Sequence, residues 1–407
     1  MNKNTGDAAR KAASRKLILI IGFIVVSFNL RPAITSVGPL IVSIKADLNL
    51  TSGTAGFLVA LPVLAFALSS SFAPCFGRKA GSERAILLSM ILLIAGILIR
   101  SSGFISGLFI GTGLIGVGIA VSNVLLPAII KEKLPTKIPL MMGIYTASLG
   151  VFAAVAVGVS VPLAEGLKLG WQKSLGAWVI LAILGLIFWL PQVSQLSSKT
   201  ARPPTLTPVS GSLFRSRLAW QVTVFMGCIS FLFYCLIAWL PEIIHSHGFS
   251  YNTAGWMASV FQFVAIPVSF VTPIVAGKLK DQKAIVIGVG VLLSLAFVGL
   301  MFVSGSAWAL LCCVFIIGAA MGVGFSMAMT FFVLRAQNAR DVASLSGMAQ
   351  SFGYLMAAVG PILVGFLFDV SGSWTLPLVA LVAVTVLSML AGFGAGRNAY
   401  VLQETEN

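Results

Sequence analysis

Twelve long apolar runs, each closed by a short polar or basic stretch, account for most of the chain, near residues 17–44, 52–74, 85–100, 104–130, 138–164, 172–190, 218–244, 252–276, 284–303, 307–332, 342–367 and 374–396. The hydrocarbon layer of a bilayer is about 30 Å thick, and about 20 apolar residues of helix cross it. The pattern therefore predicts an all-α membrane protein with twelve transmembrane helices. Between the sixth and seventh runs, Pro, Ser and Thr break the pattern, as in Ser197-Ser198-Lys199 and Arg202-Pro203-Pro204. That stretch reads as a linker between two halves. The expected layout is a tail at 1–16, a six-helix bundle at 17–190, a linker at 191–216, a second six-helix bundle at 217–396 and a tail at 397–407. Residues 1–16 show no apolar periodicity and are expected to be disordered. No small-residue cleavage site interrupts the run that starts at Leu17, so the first helix is expected to stay.

The halves repeat each other. Pro74, Lys79, Arg84, Ala85 and Ile86 recur at one constant spacing as Pro273, Lys278, Lys283, Ala284 and Ile285, and Gly116-Val117-Gly118 recurs as Gly322-Val323-Gly324. Two nearly equal offsets at corresponding helices indicate duplication, with a cavity expected between pseudo-symmetric halves.

One stretch violates the apolar pattern. Ser27-Phe28-Asn29-Leu30-Arg31-Pro32-Ala33-Ile34-Thr35 puts an arginine and a proline inside the first run. Counted inward from Lys16, Arg31 lies about 14 residues deep, or ~21 Å at ~1.5 Å per residue, near the membrane midplane. A guanidinium there costs about 2.5–3.5 kcal/mol on insertion scales, so it is rare unless it faces a watered cavity and has a task. Pro32 cannot donate to the carbonyl of Phe28 four residues back, so the helix can bend there. Ser27, Arg31 and Thr35 recur every four residues, which on a continuous helix makes one polar face.

Composition agrees with the pattern. Of 407 residues, 58% are hydrophobic and 9% charged, with mean hydropathy +1.03, against about 25% charged in soluble domains. The net charge of +15 does not point to nucleic acid, because the basic residues punctuate apolar runs instead of forming one basic face. With both termini cytoplasmic, 21 of the 26 Lys and Arg residues fall in inside segments. Four (Lys45, Arg100, Lys168 and Lys173) fall outside, and Arg31 completes the count. That asymmetry is the positive-inside rule, and it predicts a multi-pass protein of a bacterial-type cytoplasmic (inner) membrane. Cys75, Cys228, Cys235, Cys312 and Cys313 lack metal spacing and are odd in number, so free thiols are expected. His245-Ser-His247 lacks a nearby third ligand and is not expected to hold metal.

Four blocks carry a family resemblance. Asn29-Leu30-Arg31-Pro32 followed by Gly38-Pro39-Leu40, Asn123-Val124-Leu125-Leu126-Pro127, Ala238-Trp239-Leu240-Pro241, and Leu345-Ser346-Gly347-Met348-Ala349-Gln350-Ser351-Phe352-Gly353-Tyr354 resemble the cyanate and nitroimidazole transporter group of the major facilitator superfamily. The resemblance implies two six-helix bundles, a central cavity lined by helices 1, 4, 7 and 10, and alternating access for a small solute. The chain departs from the wider superfamily after helix 2, where Gly77-Arg78-Lys79-Ala80-Gly81-Ser82-Glu83-Arg84 offers Glu83 in place of an aspartate ahead of the basic residues.

Candidate substrate-binding residues are Arg31, Asn123, Tyr234, Gln262 and Gln350. Each also has a bland alternative: a brace on carbonyls for Arg31, helix-to-helix hydrogen bonds for the amides, and core packing for Tyr234. Asn29 lies almost opposite Arg31 on the helical wheel and reads as structural. Arg78, Arg84, Lys278 and Lys283, in equivalent loops of the two halves, are gating candidates. Spans 3, 6, 9 and 12 carry the fewest polar residues and are expected to face lipid. All eleven Asp and Glu residues fall in loops, tails or helix ends. Proton coupling through a mid-span carboxylate therefore has no sequence support. The expected function is secondary active transport of a small anionic or polar solute, cyanate-like, with efflux of small heteroaromatic drugs such as nitroimidazoles as the alternative. A polytopic membrane enzyme is disfavoured, since no nucleophile with its base, nucleotide loop or metal cluster is evident. The expected partners are a small molecule, anionic or nitro-bearing, and the lipid bilayer. No cofactor and no nucleic acid are expected, and the chain is expected to act as a monomer.

Overall fold

The computed structural model describes residues 3–194, 212–303 and 306–402. Among them, eleven helices are long and apolar enough to cross a membrane, and the bent pair Thr54–Ser70 with Ala73–Ala80 makes twelve. The twelve fall on the predicted runs, and the fold is all-helical.

The first span is not one helix. It consists of Lys3–Phe28, the single turn Pro32–Thr35, and Val37–Asp47. The chain tightens before the break, with Asn29 N donating to Val26 O (3.0 Å) and Leu30 N to Ser27 O (3.3 Å). Arg31 leaves helical geometry at φ −127°. Pro32 then opens the new turn, a position that needs no backbone donor and suits its fixed φ. The predicted Ser27-Arg31-Thr35 face is therefore interrupted. The expected disordered tail is also corrected, because the first helix begins at Lys3. Ala8, Ala9, Ala12 and Ala13, interleaved with Arg10, Lys11 and Arg15, are good helix formers with no proline among them. Span 2 bends by 56° between its two pieces, and Pro74 sits in the first turn of the second. The expected linker is helical at both ends, within Trp178–Ser194 and Ser212–Arg215. Residues 195–211 lie outside the described set.

The chain has two compact units: Met1–Ala65, Cys75–Leu126 and Val151–Thr207 in the first, and Phe66–Pro74, Pro127–Gly150 and Pro208–Asn407 in the second. Glycines set the close approaches in the first. Gly22 packs on the Phe188 carbonyl, and a Cβ on Gly96 would stand 2.9 Å from the Gly111 carbonyl. Polar ties join the same helices, with Ser89 and Ser122 hydroxyls 2.6 Å apart and Trp189 Nε1 donating to Glu83 O (2.9 Å). At one end, Val37, Leu40, Ile44, Leu58, Leu108 and Trp171 form a buried apolar cluster, while Trp171 Nε1 donates to Asp47 Oδ2 (2.8 Å). The five cysteines are free thiols.

The second unit takes the bend of span 2, the last turns of span 4 and the first half of span 5 as well as the later helices. Gly347 packs on the Ser70 carbonyl and Pro74, and Gly143 on the Phe270 carbonyl. Ser71 Oγ donates to Ser351 Oγ (2.7 Å). Four of the later helices start with a capped first turn: Ser216, Ser250, Ser306 and Asn338 accept from the backbone N–H three residues on. Gly318 and Gly322 press on the Phe261 and Ala265 carbonyls, close packing between spans 10 and 8 that only small residues allow. Spans 3, 6, 9 and 12 expose large apolar side chains such as Leu98, Ile180, Leu295 and Leu390.

Candidate substrate site

Arg31 stands at the break in span 1 with 9% of its surface exposed. Its backbone is carried by one turn of helix. Ile34 N and Thr35 N both donate to the Arg31 carbonyl (3.0 Å each), and Ser36 N donates to Pro32 O (3.0 Å). Two neighbouring spans hold that turn. Thr35 Oγ1 lies 3.3 Å from the Ala153 carbonyl of span 5, and the Arg100 guanidinium of span 3 donates to the Ala33 carbonyl. Just before the break, Phe28 stacks on Phe152 with ring centroids 4.1 Å apart. Ser27 and Asn29 turn back on their own helix, donating to Phe23 O and Val25 O (2.8 Å each). Asn29 also abuts Gly185 of span 6, which fits the structural role read from the helical wheel.

The other candidates fall as follows. Asn123, in the first unit with Arg31, is buried on span 4. Pro127 cannot donate to its backbone carbonyl, so span 4, like span 1, carries a polar side chain where a proline loosens the ladder. Tyr234, Gln262 and Gln350 lie in the second unit. Tyr234 and Gln262 are half-buried. Tyr234 meets Phe233 edge-on at 5.6 Å, and Phe233 in turn contacts Phe261 (5.9 Å) and Phe325 (6.3 Å), forming an aromatic group across spans 7, 8 and 10. Gln350 is fully buried and donates to Ser346 Oγ (2.7 Å) one turn back. Tyr354, a further turn on, packs on Phe66 at 5.0 Å.

Of the gating candidates, Arg78 is half-buried, while Arg84 and Lys278 are exposed. Lys283 pairs with Asp281 (3.8 Å) and lies over the Phe393 ring (5.2 Å). The residue that organises this second loop is one the sequence reading treated only as a topological charge. Arg335 donates to Ala395 O (2.7 Å), to Gly396 O (3.4 Å) and to Gln282 Oε1. It thereby ties the start of span 9 to the ends of spans 10 and 12. Burial pulls its guanidinium down to about 10, opposed by Tyr400 and Asp281, so it stays charged at neutral pH.

Arg100 is the larger correction. Counted as an outside loop charge, it is fully buried. A cation at the end of an apolar run looks like a boundary marker, and only the facing glycines, Gly96 and Gly111, hint that another helix covers it. His245 and His247 hold local carbonyls: His245 Nδ1 lies 2.6 Å from Phe249 O, and His247 Nδ1 2.8 Å from Ile243 O. A cavity of about 440 Å³ opens elsewhere, with apolar walls from Pro267, Val271 and Val275 of span 8, Ile285 of span 9 and Val323 of span 10.

A twelve-span helical fold with a buried guanidinium at a helix break in its first span defines a polytopic membrane protein. Residues 19–361 match the Major Facilitator Superfamily, and the chain belongs to that family. It is 49% identical over 385 residues to the uncharacterized transporter YycB of Bacillus subtilis (strain 168), covering 95% of each chain. It is 37% identical over 389 residues to the 2-nitroimidazole transporter of Escherichia coli (strain K12), covering 95% of this chain and 97% of that one. To the cyanate transport protein CynX of the same strain it is 24% identical over 379 residues, 91% and 96% of the two chains. FucP, a superfamily transporter crystallised in the outward conformation, shares the fold with a TM-score of 0.74 at 13% identity, over 92% of this chain and 98% of that one. The protein is a secondary transporter of small solutes in the cyanate and nitroimidazole group, not an enzyme, and its helices have the major facilitator fold.

Proposed function

We propose that the protein carries a small anion, cyanate-like in size and charge, across a bacterial-type cytoplasmic membrane by alternating access, with Arg31 as the group that meets it. The observation that carries this reading is the placement of Arg31, nine-tenths buried, at the break between the helical pieces of span 1. A guanidinium offers a planar fork of N–H donors that matches small oxyanions and nitro groups, and desolvation strengthens such charge-assisted bonds. Asn123, Tyr234, Gln262 and Gln350 are proposed as further contacts. The similarity to a cyanate transport protein supports the anion.

A second reading is efflux of a small nitro-heteroaromatic. The aromatic group around Phe233, Tyr234, Phe261 and Phe325 and the similarity to a 2-nitroimidazole transporter favour it. Arg31 would then meet the nitro group or a ring nitrogen. Flux of labelled cyanate and of 2-nitroimidazole in proteoliposomes, parent against Arg31→Gln, tests both. Saturable flux of either that the variant loses supports the site, whereas equal flux from parent and variant removes Arg31 from it.

The domain layout is proposed as two monomer halves, 17–190 and 217–396, joined by a cytoplasmic linker, with both termini cytoplasmic. Arg78, Arg84, Lys278 and Lys283 are proposed to brace one conformation at the ends of equivalent helices. On that reading Arg84→Gln slows flux and leaves substrate binding intact, and unchanged flux at normal protein level would reduce these residues to topology signals.

A further inference from the structure

Arg100 is among the largest side chains the protein buries completely, at the last position of the helix Ser82–Arg100. One guanidinium nitrogen, Nη1, donates to the Ala33 carbonyl. Its Nε and Nη2 meet no acceptor among the described residues. A buried cation with two unsatisfied donors is expensive to hold, several kcal/mol by the usual measure of desolvated ions. A purely apolar contact would cost less, so the position of this charge calls for a reason.

Two features of the surroundings supply one. The backbone at Arg100 is pressed against Gly111 of span 4, where any Cβ would collide with the Arg100 backbone, so the depth of the arginine is set by a rigid helix contact. Its target is the single turn Pro32–Thr35, bounded by the break at Arg31 and the turn at Ser36. A helix of one turn has almost no internal stability of its own, so its orientation is decided by what grips it from outside. The grips are Arg100 on Ala33 O from span 3 and Thr35 on Ala153 O from span 5. Arg31 is the residue immediately before this turn, and its carbonyl accepts from two of the turn's N–H groups.

We propose that Arg100 is a positioning residue for the substrate site: it holds the one-turn segment Pro32–Thr35 so that the Arg31 guanidinium is aimed at the transported solute. The inference rests on the reading of Arg31 as the substrate-contacting group. Arg100 itself touches no solute. Its effect reaches transport through the direction of the Arg31 side chain, so it acts on affinity before it acts on turnover. Misplacing a binding group by about 1 Å is enough to weaken a well-aligned interaction by an order of magnitude or more.

The test uses the full-length protein in proteoliposomes, with cyanate and 2-nitroimidazole as probes. Arg100→Met keeps apolar bulk and removes every donor, whereas Arg100→Lys keeps the charge on a single donor nitrogen and loses the planar fork. Expected for Arg100→Met is a rise of roughly tenfold in the KM of flux with maximal rate within about twofold of the parent. Arg100→Lys should lie between the two. In an Arg31→Gln background, Arg100→Met should add nothing further, because both act on one interaction. A second readout needs no solute. With Arg31→Cys in a cysteine-free chain, Arg100→Met should change severalfold the rate at which a small thiol reagent labels that cysteine. An unchanged labelling rate overturns the inference whatever the substrate proves to be. So does loss of folded protein in both Arg100 variants, which makes Arg100 a structural brace. If Arg31→Gln transports like the parent while Arg100→Met still alters labelling, the positioning stands and the substrate role of Arg31 falls.

Discussion

Arg31 is where charge and geometry can be separated by substitution. Lysine keeps the positive charge and loses the planar fork, whereas glutamine keeps length and some donors and loses the charge. If charge dominates recognition, Arg31→Lys retains part of the flux and Arg31→Gln loses nearly all of it. If the fork dominates, both fail. Melting temperature has to be followed alongside, because removing a desolvated guanidinium can stabilise the helix even as it abolishes binding. A folded Arg31→Gln protein with parental flux would leave Arg31 as a brace on its own helix break. The break was legible in the sequence because Pro32 cannot donate to the Phe28 carbonyl four residues back. Arg100 was not legible, although it is the same residue type at the end of a similar run. Its burial is decided by the approach of span 4 through Gly111, and a contact between helices leaves no mark on the periodicity of either one.

Among the helices, one proline marks a place where a span opens a carbonyl that two other spans take. Pro273 of span 8 cannot donate to the Ser269 carbonyl four residues back. Thr146 of span 5 and Ser326 of span 10 supply the missing donors, their hydroxyls lying 2.8 Å and 2.7 Å from that carbonyl and 3.2 Å from each other. All three residues belong to the second unit, so the node is one reason why the Pro127–Gly150 segment groups with the later helices. Hydrogen bonds inside membrane proteins average about 0.6 kcal/mol when one partner is removed, but a buried carbonyl left with no donor costs about 1–3 kcal/mol. Thr146→Val and Ser326→Ala should therefore each lower the melting temperature slightly, and the pair should lower it by more than the sum of the two. A strictly additive pair, or a double variant that melts with the parent, would mean that the node does not hold the helices together. In the sequence Pro273 stands out only as part of a repeat shared with Pro74. What the two prolines do was hidden, since it depends on which hydroxyl arrives from elsewhere. For Pro74 the outcome is a sharp bend of span 2, and no periodicity argument separates the two cases.

At the scale of the whole molecule the span count was readable because each apolar run is long enough to cross a bilayer and each ends in charge or a turn. The grouping of those spans into compact units was not, since Phe66–Pro74 and Pro127–Gly150 leave their sequence neighbours through contacts such as Gly347 on Ser70 and Gly143 on Phe270. Orientation is a separate question that contacts do not answer and charge does. Arg100, buried at a helix end, no longer serves as an exposed loop charge, so the outside count falls to Lys45, Lys168 and Lys173 against 21 residues inside. That correction sharpens the bias, because only basic residues in short loops near span ends set topology. The expected arrangement has both termini and the 191–216 segment in the cytoplasm. A single cysteine placed between residues 195 and 211 of a cysteine-free chain should resist a membrane-impermeant maleimide in intact cells and react once the cells are opened, while one placed at Lys168 should react in both. Ready labelling of the linker cysteine in intact cells, with Lys168→Cys protected, would invert the protein in its membrane. It would also turn the loops carrying Arg78, Arg84, Lys278 and Lys283 to the outside, where a brace at those helix ends would close the opposite entrance to the transport path.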